Sequence, residues 1–523
     1  MTLLAVWLAV GRLLAWLFGV ASFALFLQLM FNFFRHRGVK GPLIARFSNL
    51  WRFYHAYQGN IHHLYIDLHR QYGNIVRIGP NCISLAGIEA KSTIYGISGP
   101  KFSKICFHTD SSRCSNFYAP FQPTIAGGTY QNLFDTTDEA FHAAIKRPVS
   151  RAYAMSTLLE YEPFVDATTQ ELLSQIGGRY ASMRTGEAVV CDLDKWLQYY
   201  AFDVIGEITF SKSLGFLKGG QNVDDTISSL SPPMVVPAAS QMPAIDRWFL
   251  KPLQRWSARR STSAVVSFTM ERMKERSKKA ETRPADRRDM LSRFIHSKET
   301  NPAVIDDLRV LSYATSKVNA GADTTAITLR TTFYYLLKNL ESMRALEREI
   351  LEAEQCGALS APCVSWAEAQ KLPYLDAVVK EALRIHPPVG MMLERVVPEG
   401  GITIYGHYFR GGTLLGISPW VIGRDKSIYG EDADQWRPER WLECEPAQRN
   451  KMVGSSLTFG GGARTCIGKN ISMLELYKVI PAMIRRFEWS LAEPADEWKT
   501  VNAFSVVQKG LRVHVRERYS SSG

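Results

Sequence analysis

Apolar residues fill the start of the chain with little interruption. Positions 13–31 read LLAWLFGVASFALFLQLMF, nineteen residues without a charge. As a helix this run spans about 28 Å, close to the thickness of a bilayer's hydrocarbon layer. Apolar residues precede it from Leu3 onward, broken by Gly11 and Arg12, and Arg35, His36, Arg37 and Lys40 follow. The run continues well past the small residues at 19–22, which favours a retained single-pass anchor over a cleaved signal peptide. The excess of Lys and Arg after the span places the rest of the chain on the cytosolic side. Beyond it the pattern changes. Helical periodicity covers 60–71, 140–154, 160–173, 195–210, 263–278, 306–340, 341–354, 374–385 and 467–487. Strand-like alternation is short: 75–86 around a Gly-Pro-Asn turn, 402–405 taken as a partner of 413–417, and 511–515. The fold class is therefore mainly α with small β-sheets. No repeat or long linker divides the chain, so residues 1–40 are assigned to an anchor with a basic hinge and 41–523 to one large domain.

Composition narrows the picture further. The chain has 523 residues, 46% hydrophobic and 21% charged, which is globular composition. Its net charge is +12, yet the densest basic stretch, 271–288, is interleaved with acids and reads as a solvated face. No DNA- or RNA-recognition motif accompanies the charge, so no nucleic-acid partner is expected. Eight cysteines with no C-x-x-C spacing argue against a disulfide scaffold and against zinc-ribbon or thioredoxin chemistry.

One cysteine stands apart. Residues 459–470 read FGGGARTCIGKN, with three glycines and an arginine before Cys466 and a helical pattern after it. Glycines permit tight turns and close approach of backbone to a flat, bulky ligand. A cysteine at a helix start has its sulfur anion stabilised by free N–H groups and the helix dipole. Phe459, Gly462, Arg464, Cys466 and Gly468 occupy all five fixed positions of F-x-x-G-x-R-x-C-x-G, the haem-binding signature of the cytochrome P450 family, which this segment resembles. At ~5% usage per residue type, chance matches number on the order of 10⁻⁴ in a chain this long.

Other segments share that resemblance, in the family's order. Glu381 and Arg384 match E-x-x-R, and WRPERW at 436–441 resembles F-x-P-E-R-F, whose Arg440 would complete a buried structural triad. Ala320-Gly321-Ala322-Asp323-Thr324-Thr325 resembles the oxygen-activating A/G-G-x-D/E-T-T. Asp323 and Thr324 lie three and four residues beyond Ala320 and are read as sharing its face, with Ala320 and Gly321 leaving room over a haem. Stretches at 68–81, 202–217 and 417–441 look like membrane-bound fungal members, and the closest flavour is the secondary-metabolism group that includes pisatin demethylase-like enzymes.

The resemblance implies haem b held by the Cys466 thiolate, with Asp323 and Thr324 delivering protons to the reacting oxygen. It implies propionate contacts from Arg464, Arg395 and Lys146. Two departures qualify this. The family's W-x-x-x-R helix aligns with His142 and Lys146, with Arg147 a near alternative, and the proline-rich hinge is reduced to Gly41-Pro42. Arg395 has a rival reading as an ordinary surface arginine. Substrate-facing segments are expected at 103–128, 234–245, 313–320, 389–393 and 503–507, implying a lipophilic terpenoid, polyketide or hybrid. Electrons are expected from an NADPH–cytochrome P450 reductase on the same membrane, the endoplasmic reticulum. Lys469, Lys478, Arg485 and Arg486 are either its docking face or a solvated face. The expected activity is monooxygenation in a biosynthetic pathway, with an O2-independent isomerase or dehydratase and a non-catalytic haem-binding membrane protein as alternatives.

Overall fold

A computed structural model describes residues 2–96, 102, 104, 117–125, 128–181, 189–221, 234–258, 264–280 and 289–518. The N-terminal helix α1, Thr2–Phe34, is longer than the uncharged run because Gly11 and Arg12 leave the backbone ladder intact. Its apolar window Val6–Phe34 is not buried by the rest of the protein. Trp7, Phe18 and Phe23 are all exposed, as a lipid-facing helix requires.

Elements that position the site follow in chain order. Helix α2 is Leu50–Tyr57, α3 is Glu139–Lys146, α4 is Leu193–Phe210 and α5 is Val235–Gln241. The central helix α6 is Asp307–Lys338, α7 is Pro373–Ile385 and α8 is Lys469–Arg486. The main core gathers around α6, which packs on α4, α7 and α8. Although α6 reads as amphipathic, it is buried on nearly every side. Its threonines make this tolerable, since Thr331 and Thr332 donate to the carbonyls of Ile327 (2.8 Å) and Thr328 (2.9 Å). Asp306 caps its start by accepting from the Arg309 N–H.

Two expectations need correction. The periodic run 140–154 is α-helical only through Lys146; Arg147–Tyr153 winds as a 3₁₀-helix. Pro148 lacks an N–H and cannot continue the i→i−4 ladder. The strand at 402–405 does not pair with 413–417. Ile402–Ile404 instead turns through Tyr405 and Gly406, both at positive φ, onto His407–Phe409, the backbone geometry of a tight hairpin. Residues Leu414–Ile417 join a four-stranded sheet, where β1 (Ile75–Gly79), β2 (Cys82–Leu85), β3 (Arg395–Val396) and β4 (Leu414–Ile417) are ordered β1-β2-β4-β3. Only β2 and β4 run parallel, with Cys82 opposite Leu414. The expected late strand is present as Arg512–Glu517 and pairs with Phe487–Leu491, while a hairpin of Lys499–Ala503 with Ser505–Lys509 escaped the sequence reading.

Candidate active site

The segment before α8 is shaped by its glycines. Gly460 and Gly462 both take positive φ, and a Cβ on Gly462 would lie 2.5 Å from the Tyr95 carbonyl oxygen. The Cys466 N–H donates to the Phe459 carbonyl at 2.9 Å, closing the loop, and Phe459 packs against the main core. Lys146 does not reach outward; its Nζ donates to the Ala463 carbonyl at 2.8 Å. A Cβ on Gly468, the residue capping α8, would lie 3.9 Å from the Cys466 sulfur.

Cys466 has accessible surface, yet burial still pushes its thiol pKa up. Both hold if the sulfur faces an internal space rather than the outer surface. N–H groups of Gly468 and Lys469 oppose that rise, as do the charges of Lys146 and Lys469. The loop thus presents sulfur to a cation able to displace its proton.

Basic groups converge beside it. Arg464 donates from Nε to Glu139 at 2.9 Å, while its Nη1 and Nη2 are buried without a partner among the described residues. Arg395, on β3, is buried rather than on the surface, and its Nη1 donates to the Tyr118 hydroxyl at 2.7 Å. Its guanidinium lies 5.1 Å from the Tyr95 ring, the residue against which Gly462 packs. Lys104 is also buried, donating to the Phe134 carbonyl over the Tyr118 ring. His142 is buried on α3, and burial lowers its pKa to about 3, helped by Arg464, Lys146, Lys104 and Arg395. Arg147, the alternative to Lys146, is exposed. Two unpartnered buried guanidinium nitrogens within this positive cluster fit an anion such as a haem propionate. Lys104 and Tyr118 lie in the segment expected to face substrate, and no local pattern marks either as part of a cationic cluster.

The oxygen-activating motif divides between two surroundings. Beyond its first turn, α6 is exposed only at Asn319 and Ala320, which mark its open face. Thr324 donates back to the Ala320 carbonyl at 2.8 Å. Asp323 does not share that contact; its Oδ1 accepts from Gln198 on α4 at 2.8 Å. Gln198 in turn accepts from Arg330, whose Nε donates to the Asp194 carbonyl at 2.8 Å. Burial raises the Asp323 pKa, with Arg330 and Gln198 opposing, so it keeps a proton to higher pH than a free aspartate. Gly321 serves helix packing rather than open space, because its Cβ would come within 2.9 Å of Ile205 on α4.

Behind this site Glu381 is fully buried. It accepts from Arg384 at 2.6 and 2.8 Å, Arg440 at 3.1 Å, the Trp441 indole at 2.9 Å and the Arg437 N–H at 2.9 Å. Arg384 also donates to the Gly423 carbonyl at 2.7 Å. One residue before Arg384, the Leu383 carbonyl accepts from Thr458, immediately ahead of the cysteine loop, at 2.8 Å. The triad is thereby joined to the loop it would position.

Two of the expected substrate-facing segments meet, as the Gly390 N–H donates to the Phe504 carbonyl at 3.0 Å. The Phe504 ring is tilted against Phe121 and edge-on to Phe134, at 4.8 and 5.4 Å between centroids, and Gln241 of α5 contacts Met391. The segment 313–320 is mostly core: Tyr313 is buried and donates to the Ile145 carbonyl. Segment 103–128 lies largely outside the described residues. Lys478 cannot belong to a docking face, being fully buried between Glu162 and Asp166. Arg485 and Arg486 are engaged by Glu354 and Glu517, leaving Lys469 as the exposed cation nearest the loop.

A cysteine loop under a cationic cluster in a mainly helical fold defines a haem-thiolate protein class. The chain belongs to the cytochrome P450 family, whose profile matches residues 40–515. It is similar to a cytochrome P450 monooxygenase of Aspergillus terreus, 39% identical over 90% of this chain and 94% of that protein. It is 40% identical to cytochrome P450 monooxygenase cicH of Emericella nidulans, over 95% of this chain and 97% of that protein. It is 37% identical to cytochrome P450 monooxygenase mpaDE of Penicillium roqueforti, over 92% of this chain but 55% of that longer protein. The protein is a cytochrome P450 monooxygenase, an oxidoreductase of a family that binds haem through a cysteine thiolate, takes electrons from a redox partner and acts on small molecules.

Proposed function

We propose that this protein oxidises a lipophilic small molecule, a terpenoid, polyketide or hybrid, in a fungal secondary-metabolite pathway, using haem b ligated by Cys466. The observation supporting the site assignment is the pair of buried Arg464 guanidinium nitrogens, Nη1 and Nη2, left unpartnered among the described residues two positions before an accessible Cys466. Arg464, Arg395, Lys146, His142 and Lys104 would hold the propionates, while Phe459, Gly462 and Gly468 shape the loop. Bound through that thiolate, haem supplies dioxygen activation for insertion of one oxygen atom. Asp323 would pass protons toward the face where Thr324 lies, and Gln198 orients it. Asp323→Asn should lower kcat by about 10²-fold, the usual scale for a general acid, and raise the solvent isotope effect on turnover. An unaltered isotope effect would remove Asp323 from the proton path.

An NADPH–cytochrome P450 reductase is the proposed donor. Lys469→Glu should raise the KM for reductase several-fold at low salt with kcat preserved, and the difference should shrink as salt rises. The anchor and the basic residues after it support residence in the endoplasmic reticulum with the body facing the cytosol. Trp248, Phe249 and Trp256 are more than half exposed beside the exposed Arg247, a combination suited to a lipid surface. Replacing all three with serine should release more of an anchor-deleted protein from vesicles in flotation assays, with release unchanged if these rings face water.

The function is tested by reconstituting the protein with reductase and comparing metabolites of a deletion strain with its parent. The accumulated precursor should drive NADPH consumption and gain oxygen from ¹⁸O₂. Conversion without NADPH or label would overturn monooxygenation of that compound.

A further inference from the structure

The last carbonyls of a helix lack intrahelical partners, and at the end of a membrane anchor they must be met by water, lipid headgroups or protein. Here the body of the enzyme meets them. Arg77, the third residue of β1, is fully buried, and its guanidinium is spread over backbone oxygens. Nη2 donates to the Asn32 carbonyl inside the last turn of α1, and Nη1 to the Phe33 carbonyl at 3.1 Å. The same nitrogens reach the carbonyls of His36 and Arg46, at 3.5 and 3.4 Å, and of Pro80 at 3.0 Å. Nε donates to the Gly79 carbonyl at 3.2 Å. The Arg77 backbone N–H is used as well, donating to the Lys40 carbonyl at 2.7 Å. One residue of the sheet therefore ties together the helix end, the segment that follows it and the turn between β1 and β2.

The charge suits the place. A cation at a helix C-terminus interacts favourably with the helix dipole, and the planar fork of arginine can serve several oxygens at once. Burial lowers the Arg77 pKa to about 10, with Arg46 and Arg35 adding to the effect, so it stays charged at neutral pH.

Side chains reinforce the joint. Asn32 donates to the Phe47 carbonyl at 2.8 Å, and the Phe33 ring stacks on Phe47 with centroids 5.1 Å apart. His36 contacts Asn81 at 3.2 Å, and Arg37 lies over the Phe34 ring at 4.0 Å. The chain then passes so close to the sheet that a Cβ on Gly41 would sit 2.1 Å from the Arg77 carbonyl oxygen.

We propose that Arg77 locks the membrane helix to the catalytic body, so that the angle between them is set by the protein and not by a flexible tether. The segment that the sequence marks as a basic hinge is, in this reading, a clamp. Its consequence is a fixed presentation of the body to the bilayer, with Leu43, Ile44 and Leu50 of the same segment exposed beside the joint.

The test uses the full chain in lipid nanodiscs, with genetically encoded spin labels at two exposed positions, Leu25 on the anchor and Asp496 on the body. The native protein should give one narrow distance distribution. Arg77→Gln should at least double its width while thermal unfolding of the body stays cooperative. Should Arg77→Gln fail to fold, Arg77→Lys keeps the charge and stem but not the fork, and its distribution should also be broader than native. A native distribution as broad as that of the variants, or a folded variant as narrow as native, would overturn the proposal.

Discussion

Cys466→Ser is expected to abolish haem retention and, with it, NADPH-dependent turnover, by at least 10³-fold. A serine hydroxyl ionises far less readily than a thiol and is a poor ligand for iron. The surroundings of Cys466 cannot compensate. Burial already disfavours the anion, and the Gly468 and Lys469 N–H groups with Lys146 and Lys469 recover only part of that loss. The substitution is nearly isosteric, and serine can accept from the same N–H groups, so the fold should survive. The checking measurement is the Soret absorbance per mole of purified, folded protein, with circular dichroism as the control. Retention of full absorbance would exclude Cys466 as the ligand, whatever happened to activity.

Glu381→Ala should be the most damaging substitution away from Cys466, at about 3–5 kcal/mol, because it removes the carboxylate that the buried Arg384 and Arg440 share, leaving Asp432 to meet Arg440 alone. Arg384 and Arg440 are 3% and 5% exposed, so water cannot take over from the carboxylate. The loss should reach the haem site through Thr458, which bonds the backbone beside Arg384, so haem content should fall together with the melting temperature. Glu381→Gln should cost less, since the amide can still accept but brings N–H groups against two cations.

The pH dependence has a definite sign. Burial alone would raise the Glu381 pKa, but Arg384, Arg440 and the Arg437 N–H outweigh it and hold the value below that of a free glutamate. Its contribution is therefore present above the unfolded carboxylate pKa of about 4.3 and lost as pH falls through the folded value. Glu381→Gln should flatten that acid limb of the stability curve. An unchanged acid slope, with melting within a degree of native, would show that the triad carries no structural load.

How far the sequence could be read followed sequence separation. The cysteine loop was legible because its determinants lie within ten residues and act through local backbone geometry, as the positive φ of Gly462 illustrates. Helices such as α4 and α7 were legible from periodicity to within a few residues. Partnerships were not. Ile402–Ile404 and Leu414–Ile417 both look like strands, but which strand accepts each depends on tertiary packing. Lys478 looked like a surface charge until Glu162 and Asp166, more than 300 positions earlier in the chain, surrounded it. Asp323 looked like a partner of Thr324 from spacing alone, yet the side chain is drawn to Gln198 on another helix. Gly321 shows the same limit: its small size was attributed to room for a ligand, whereas the close approach of Ile205 explains it.

By itself, then, the order of residues determined the apolar N-terminal helix, the helical character of the body and the glycine-rich thiol loop, all of which arise from interactions between near neighbours along the chain. Only the tertiary structure decided that Arg395, Lys104 and Arg464 share one cationic site, and that Arg77 grips the end of the N-terminal helix. Those groupings join residues tens to hundreds of positions apart, and a buried charge finds its partners only when the whole fold has closed around it.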